Sequence, residues 1–390
     1  MPIPKAQEAF PRDEFLRRIG LVKAEMQRRN ITVVLVTDEA NTCYLTGYTA
    51  KSGYVPQGVV VSLGAEEPTI ILRKQDAIIA LHEAFMNRQN IIGYDENLVG
   101  NPDKNGYDAI IDFLFEAGLV AGTLGLELSN LVGRAAEAKF HQRLPGSKFV
   151  DFTLAVTWIR GIKSDLEIAV MREAAAISDA AILRAAEVIR PGVHESDIAA
   201  EIAEVLIRGA SGIRATNFVP FYLCSSPRTG ASHINWSQDV LRKDSQVGLE
   251  LSGVRHNYAA PLLRTYTVGP PSDRLRRIHE AEVAGLEAAL DVIRPGNLCH
   301  DVADAFYRTI EKHGFTKDSR CGYSVGIDWL EPTASLKIGD KTVLKPNMTF
   351  HLNLGNWGDE DFGYGISETF RVTETGVEVL TQARRELFQL

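Results

Sequence analysis

A pentapeptide that occurs twice restricts the fold more than any other feature of the sequence. Val188-Ile189-Arg190-Pro191-Gly192 returns as Val292-Ile293-Arg294-Pro295-Gly296. Proline cannot continue a helix, and glycine favours the left-handed turn that ends one, so each copy stops a helix and reverses the chain. Each copy is preceded by a stretch of helical periodicity. Five residues beyond each glycine, Asp197 or Asp301 marks the start of a second helix. Strand-like runs then follow, at 218–223 and 247–251 in the first half and at 349–354 and 366–372 in the second. Two copies are too few for a solenoid. They predict a pseudo-twofold domain whose halves curve around a shared cleft.

The region ahead of the repeat has a different rhythm. Helical spacing over 15–30, with Leu16, Ile19, Leu21 and Met26, is followed by strand-like runs at 31–36, 54–63 and 69–72 and a helical stretch at 106–118. This alternation predicts an α/β unit. No glycine-rich phosphate loop follows any of its strands, so a nucleotide-binding role has no support. The Ala-rich helical stretch 165–189 opens the duplicated region, and the boundary is placed just before it. The expected organisation is α+β, with an N-terminal α/β domain over residues 1–155 and a duplicated domain over 156–390.

Composition excludes several function classes. The 390 residues carry a net charge of −8, which gives no general attraction to nucleic acid or anionic membranes. The longest apolar runs, such as 33–36 and 77–81, are far too short to cross a bilayer. The start, Met1-Pro2-Ile3-Pro4-Lys5, lacks the apolar core of a secretory leader. Cys43, Cys224, Cys299 and Cys321 have neither CxxC nor zinc-site spacing, and predict reduced thiols in a cytoplasmic protein.

Three side chains are candidates for chemistry. Glu250 is a carboxylate inside the otherwise apolar run 247–251, a placement that costs several kcal/mol unless the acid is paired or protonated. Glu368 repeats the situation in the second half, so that one acid per half faces the cleft, an arrangement suited to acid–base or nucleophilic work. Each acid also has a plain structural alternative, as an exposed strand residue or as the partner of a nearby arginine such as Arg264 or Arg371. His233 lies in the Gly/Ser/Pro loop 225–236, the kind of segment that carries binding groups, although a loop histidine alone is often plain surface. His256 and His351 stay open, and the remaining histidines read as solvated.

With these residues in place, Trp158-Ile159-Arg160-Gly161-Ile162-Lys163-Ser164-Asp165, the duplicated helix pair and the strand order resemble the pita-bread (M24) fold of creatinase, aminopeptidase P, prolidase and methionine aminopeptidase. The resemblance extends over essentially the whole chain, the first part being similar to the creatinase-type N-terminal domain. The metallopeptidases of that fold hold two metal ions with two Asp, one His and two Glu. The corresponding positions here are Glu250, Pro261, Tyr323, Asn353 and Glu368. Proline offers no side-chain donor, and Tyr and Asn are poor replacements at a dimetal site, so the resemblance implies no metal and no cofactor.

Within the fold, the chain is most similar to the metal-free, creatinase-like branch, and there to the ectoine hydrolase family. The matching segments include Tyr44-Leu45-Thr46-Gly47-Tyr48, Ile92-Gly93-Tyr94-Asp95, Lys317-Asp318-Ser319-Arg320, Asn347-Met348-Thr349-Phe350-His351 and Ser367-Glu368-Thr369. They also include His233 within Ser-His-Ile-Asn-Trp and Glu250 within Glu-Leu-Ser-Gly. The implied reaction is hydrolytic opening of a cyclic amidine that bears a carboxylate, giving a product of the N-acetyl-2,4-diaminobutyrate type. Glu250 attacks the amidine carbon or activates water, Glu368 holds the cationic nitrogens, and His233 gives a proton to the departing nitrogen. Arg228 or Arg264 takes the substrate carboxylate, and Tyr323, Asn353 and Tyr54 complete the substrate-binding set. The partners implied are a small zwitterionic substrate and, by fold analogy, a second copy of the chain. Three departures touch specificity: segment 327–332, Gly365 where that family tends to have an acid, and segment 49–53. They leave open a different small C–N compound, a residual Xaa-Pro peptidase and a non-catalytic binder of small ligands.

Overall fold

The computed structural model describes residues 9–50, 52, 54–128, 133–357 and 359–390. The first five residues, and Lys51 and Gly53 of segment 49–53, therefore lie outside the described residues. Two compact units are present, Met1–Arg160 and Gly161–Leu390.

The first unit contains α1 (Arg12–Arg28), β1 (Val33–Val36), α2 (Glu39–Thr46), β2 (Gly58–Ser62), β3 (Thr69–Arg73), α3 (Lys74–Glu83), β4 (Ile91–Tyr94), α4 (Gly106–Glu116), β5 (Thr123–Leu126), α5 (Gly133–Arg143), β6 (Lys148–Asp151) and α6 (Ala155–Arg160). Its six strands form one mixed sheet in the order β4-β3-β2-β1-β5-β6. Every residue of β1 and β2 is buried, which is why these strands read as continuous apolar runs rather than alternating ones. The run 54–63 becomes strand only from Gly58. The division falls after Arg160 rather than at 155/156 because α6 is tied to the start of α2. The Arg160 Nε donates to Asn41 Oδ1 at 2.8 Å, and the Asn41 amide donates to the buried Glu127 at 2.6 Å. That carboxylate also accepts the backbone N–H groups of Thr37 and Asp38, both at 2.8 Å.

The second unit contains α7 (Asp165–Val188), α8 (Glu195–Arg208), β7 (Tyr222–Ser225), β8 (Gln246–Arg255), β9 (Tyr258–Thr267), α9 (Asp273–Asp291), α10 (Cys299–Lys312), β10 (Gly322–Ser324), β11 (Ser335–Leu336), β12 (Thr349–Asn353), β13 (Ser367–Val372), β14 (Val377–Val379) and β15 (Phe388–Gln389). The strands form two sheets, β15-β9-β8-β7 and β11-β10-β12-β13-β14. The duplication is visible bond by bond. Gly192 N–H donates to Leu241 O at 2.8 Å and Gly296 N–H to Leu344 O at 3.0 Å. Glu195 N–H donates to Asp239 O and Cys299 N–H to Thr342 O, both at 2.9 Å. Both turn glycines have left-handed backbones, with φ 84° and 93°.

The second helices begin at Glu195 and Cys299, two residues ahead of the aspartates expected to open them. Asp197 and Asp301 sit in the first turn instead, where Asp301 reaches back to the Leu298 N–H at 2.8 Å. The run 218–223 is strand only from Tyr222. The sheets meet where β9 faces β13, with Ser367 Oγ accepting the Leu263 N–H at 2.7 Å and Thr369 Oγ1 donating to Pro261 O at 2.7 Å.

Helix α7 lies unusually close to the β8–β9 pair. Buried Ser178 donates to Ala260 O at 2.6 Å and accepts the Gly253 N–H at 2.7 Å. A Cβ on Gly253 would collide with the Ala174 carbonyl, a backbone atom that cannot step aside. Gly253→Ala is therefore expected to lower the unfolding free energy by about 1–3 kcal/mol, read from urea denaturation.

Candidate active site

Glu250 lies in the middle of β8, opposite Tyr222 of β7 and Leu263 of β9. It is 4% exposed, and its carboxylate accepts the Asn353 side-chain amide at 2.9 Å. Burial raises its pKa from 4.5 to about 7, while that amide and the Lys317 ammonium pull it the other way. A carboxyl poised there can hold or release a proton at neutral pH. It borders a cleft whose walls include Tyr222, Thr229, Ile234, Leu263, Trp357 and Tyr364. Thr265 also lines it, whereas Arg264 between Leu263 and Thr265 points to the opposite face of β9, as strand alternation requires.

The loop between β7 and β8 forms another wall and carries His233. Its base is stapled by Glu195, the first residue of α8. That carboxylate accepts Ser225 N–H and Oγ at 2.6 and 2.7 Å, Ser237 N–H and Oγ at 2.7 and 2.8 Å, and an Arg228 N–H. The neighbours of His233, Ser232 and Ile234, line the cleft. The His233 ring itself is exposed and lies 4.8 Å from the ring of Tyr222, the residue opposite Glu250.

The eight residues singled out in the sequence do not converge. Glu250, Asn353 and the His233 loop come together at the cleft. Tyr323, half-buried on β10, stands behind them, its hydroxyl 3.0 Å from His351 Nδ1 and receiving the Trp329 N–H at 3.1 Å. His351, left open by the sequence, is fully buried between Tyr323 and Ser367 (2.7 Å). Burial pushes its pKa down to about 3, so the ring is neutral.

Glu368 and Arg264 belong to a different structure. Glu368 Oε1 accepts from Arg264 at 2.9 Å and from Arg385 at 3.0 Å, and Oε2 accepts the Thr381 hydroxyl. Arg264 spends its remaining donors on the carbonyls of Leu263, Ser367, Ala383 and Arg384 at 2.6–2.9 Å. The guanidinium offers a substrate carboxylate no free N–H, and Glu368 is a structural ion pair rather than a clamp in the cleft. Arg228 is held by Glu195, Ser237 and Asp239 at the loop base. Tyr54 is an exposed residue of the first unit whose hydroxyl accepts from Arg73 at 2.6 Å.

The sequence singles out neither Lys317, which acts on Glu250, nor Glu282, which acts on Lys317. Lys317 donates to the Gly355 carbonyl and lies 5.5 Å from the Trp357 ring centre. Glu282 of α9 is completely buried, and neither of its oxygens has a hydrogen-bond partner. The signal for Glu282 was present, because 275, 278, 282, 285 and 289 form the buried helical stripe of α9. Nothing comparable marks Lys317, which follows α10 in a loop.

The donor set does not fit a bridged pair of divalent ions. Pro261 contributes a carbonyl already bonded to Thr369, the Asn353 amide is turned to Glu250, and Glu368 is covered by two guanidinium groups that would repel a cation.

The profile of metallopeptidase family M24 matches residues 169–374, and that of the creatinase/prolidase N-terminal domain matches residues 18–162. The chain is 61% identical, over 99% of either sequence, to a Sinorhizobium fredii protein named uncharacterized hydrolase/peptidase y4tL. It is 36% identical to the ectoine hydrolase of Halomonas elongata, over 97% of this chain and 98% of the relative. Its fold is similar to that of the prolidase of Thermococcus sibiricus, with a TM-score of 0.84 and 21% identity over 98% of this chain and 100% of that one. The X-Pro aminopeptidase of Thermotoga maritima gives 0.82 and 19% over 95% and 99%.

Because the folded state holds the Glu250 proton more tightly than the unfolded chain, this group's contribution to stability is lost as pH rises from 4.5 towards 7. Glu250→Gln removes that loss. The variant is expected to match the wild type at pH 4.5 and to exceed it by about 2–4 kcal/mol at pH 8, measured by denaturant unfolding at both pH values.

Proposed function

This chain belongs to metallopeptidase family M24 and carries the creatinase/prolidase N-terminal domain, and from that premise we propose that it is a metal-independent hydrolase of a cyclic amidine, ectoine or a close relative of it. The observation that carries the reading is the set of residues at the positions that match the metal ligands of a dimetal peptidase: where that enzyme needs Asp, His and Glu, this chain has a proline, a tyrosine bound to histidine and an asparagine bound to Glu250. The identity to the Halomonas elongata ectoine hydrolase supports the same substrate class.

The chemistry uses what the cleft holds. An amidinium ion entering beside Glu250 supplies the positive charge that burial denies the acid and draws it into its ionised form. The carboxylate then attacks the amidine carbon or takes a proton from the water that does. The C–N bond of the ring breaks, oxygen from water stays on the carbon as an acetamide, and the departing nitrogen takes a proton from His233. Asn353 fixes the carboxylate by its single amide bond. Glu368 and Arg264, expected to hold the nitrogens and the carboxylate, instead brace the strands behind the cleft.

A second reading keeps the mechanism and changes the substrate to another small C–N compound. It is favoured by Gly365, where a Cβ would strike Leu263 at the cleft wall, so that an acidic side chain cannot stand at that position without reshaping the cleft.

Incubation of the purified, chelator-treated protein with ectoine is expected to give N-acetyl-2,4-diaminobutyrate, detected by mass spectrometry, with kcat/KM rising as pH passes through about 7 and Glu250 ionises. Glu250→Gln should lower turnover by about a thousandfold or more while the protein stays folded. Near wild-type turnover in that variant, or activity that vanishes with the chelator and returns with a transition metal, would overturn the reading. A panel of creatine and small betaines separates the second substrate class.

A further inference from the structure

We propose that Lys317 is the anchor for the carboxylate of a zwitterionic substrate, holding it against the Trp357 side of the cleft while Glu250 meets the cationic end. The proposal deepens the cyclic-amidine reading and rests on it.

A carboxylate-bearing substrate needs a cation in or beside the cleft. Of the arginines that the sequence offered, Arg264 is spent on four carbonyls and Glu368, and Arg228 is tied to Glu195 and Ser237 at the base of the His233 loop, with its Nε left without a hydrogen-bond partner among the described residues. Lys317 is placed differently. It is half-buried, its ammonium reaches past the face of Trp357 to the Gly355 carbonyl, and Trp357 itself lines the cleft with Glu250. An ammonium has three donors, and among the described residues this one donates to a single backbone carbonyl. No carboxylate oxygen of the described residues comes within 4.0 Å of it.

Two buried acids act on this lysine without touching it, Glu282 first and Glu250 second. Glu282 faces it from α9, yet neither of its oxygens is hydrogen-bonded. Burial pushes the Glu282 carboxyl up and the Lys317 ammonium down, while the charge of each opposes the shift of the other. A buried cation with so little compensation is costly, and an incoming carboxylate relieves that cost. Glu250 is the other acid that acts on Lys317, and its own charge is held back by burial. A hydrogen-bond-poor cation behind Trp357 and a hydrogen-bond-poor acid on the cleft wall match the two ends of a compact zwitterion. A neutral or purely cationic substrate would leave Lys317 uncompensated.

The test compares ectoine with 2-methyl-1,4,5,6-tetrahydropyrimidine, the same cyclic amidine without its carboxylate. The readout is the ratio of their kcat/KM values, or of KM for ectoine to the inhibition constant of the analogue where the analogue is not turned over. A ratio cancels any general damage to the site. Wild type is expected to favour ectoine, Lys317→Gln to lose about tenfold or more of that preference through KM, and Lys317→Arg to retain most of it. If Lys317→Gln does not fold, Lys317→Met, apolar and of similar length, carries the same comparison. An unchanged ratio in the folded variant overturns the anchor and leaves the amidine reading standing. Failure of the wild type to bind or hydrolyse either compound overturns both.

Discussion

One buried guanidinium ties together the two halves of the second unit. Arg264 on β9 is 0% exposed and bonds in its own sheet to the Leu263 carbonyl, in the other sheet to the Ser367 carbonyl and the Glu368 carboxylate, and in the C-terminal segment to the carbonyls of Ala383 and Arg384. Taking such a charge out of water is favourable only when its donors are all met, and here five N–H groups meet five oxygens. Strand alternation converts that bracing into a site. With Arg264 committed to one face of β9, Leu263 and Thr265 must face the other, where they wall the cleft beside Glu250.

The same constraint separates two acids that the duplication makes look equivalent. Glu368 lies under two guanidinium groups and a hydroxyl, so its charge is compensated and its oxygens are occupied. Glu250 has one amide and a distant ammonium, and burial dominates its titration. Two carboxylates in related strands thus acquire unlike chemistry from their surroundings, one structural and one poised. A dimetal site would need them to act alike, as ligands to a shared pair of cations, and the arginines on Glu368 prevent that.

What the sequence revealed follows the same division. The duplicated Arg-Pro-Gly turns, the buried strands of the first unit and the acid in β8 were readable because each breaks or obeys a local period. Strand β9 was harder, since it is buried throughout yet contains Pro261 and Arg264. Proline is tolerated there because β9 pairs with β15 only at Tyr266 and Thr267, so Pro261 needs no ladder bond on that side. The roles of Arg228, Arg264 and Glu368 were not readable, because whether a charged group is free or consumed depends on residues far away in the chain: Glu195 for the first, the 383–385 segment for the other two. Glu282 is legible only from its place on the apolar stripe of α9, against the general rule that an acid in a helix faces water.

The under-bonded state of Glu250 has a consequence for how binding and ionisation are linked. An acid whose pKa is about 7 in the unliganded cleft is part-protonated at neutral pH. A ligand that brings a positive charge against it must displace that proton, so affinity for a cation rises with pH over the range in which the acid ionises. A metal ion beside it would abolish this behaviour by fixing the charge of Glu250 in advance, and a second acid in the same cleft would push its pKa higher still. Asparagine at 353 avoids both effects, since it donates to the carboxylate, brings no charge, and in turn is held by the Gly355 N–H on its oxygen at 3.2 Å. Tyr323, held by Trp329 and His351, likewise fills its position with a neutral side chain. Lys317 is thereby left as the positive group that acts on Glu250 from a distance, and the charge that meets the acid directly is left to the substrate.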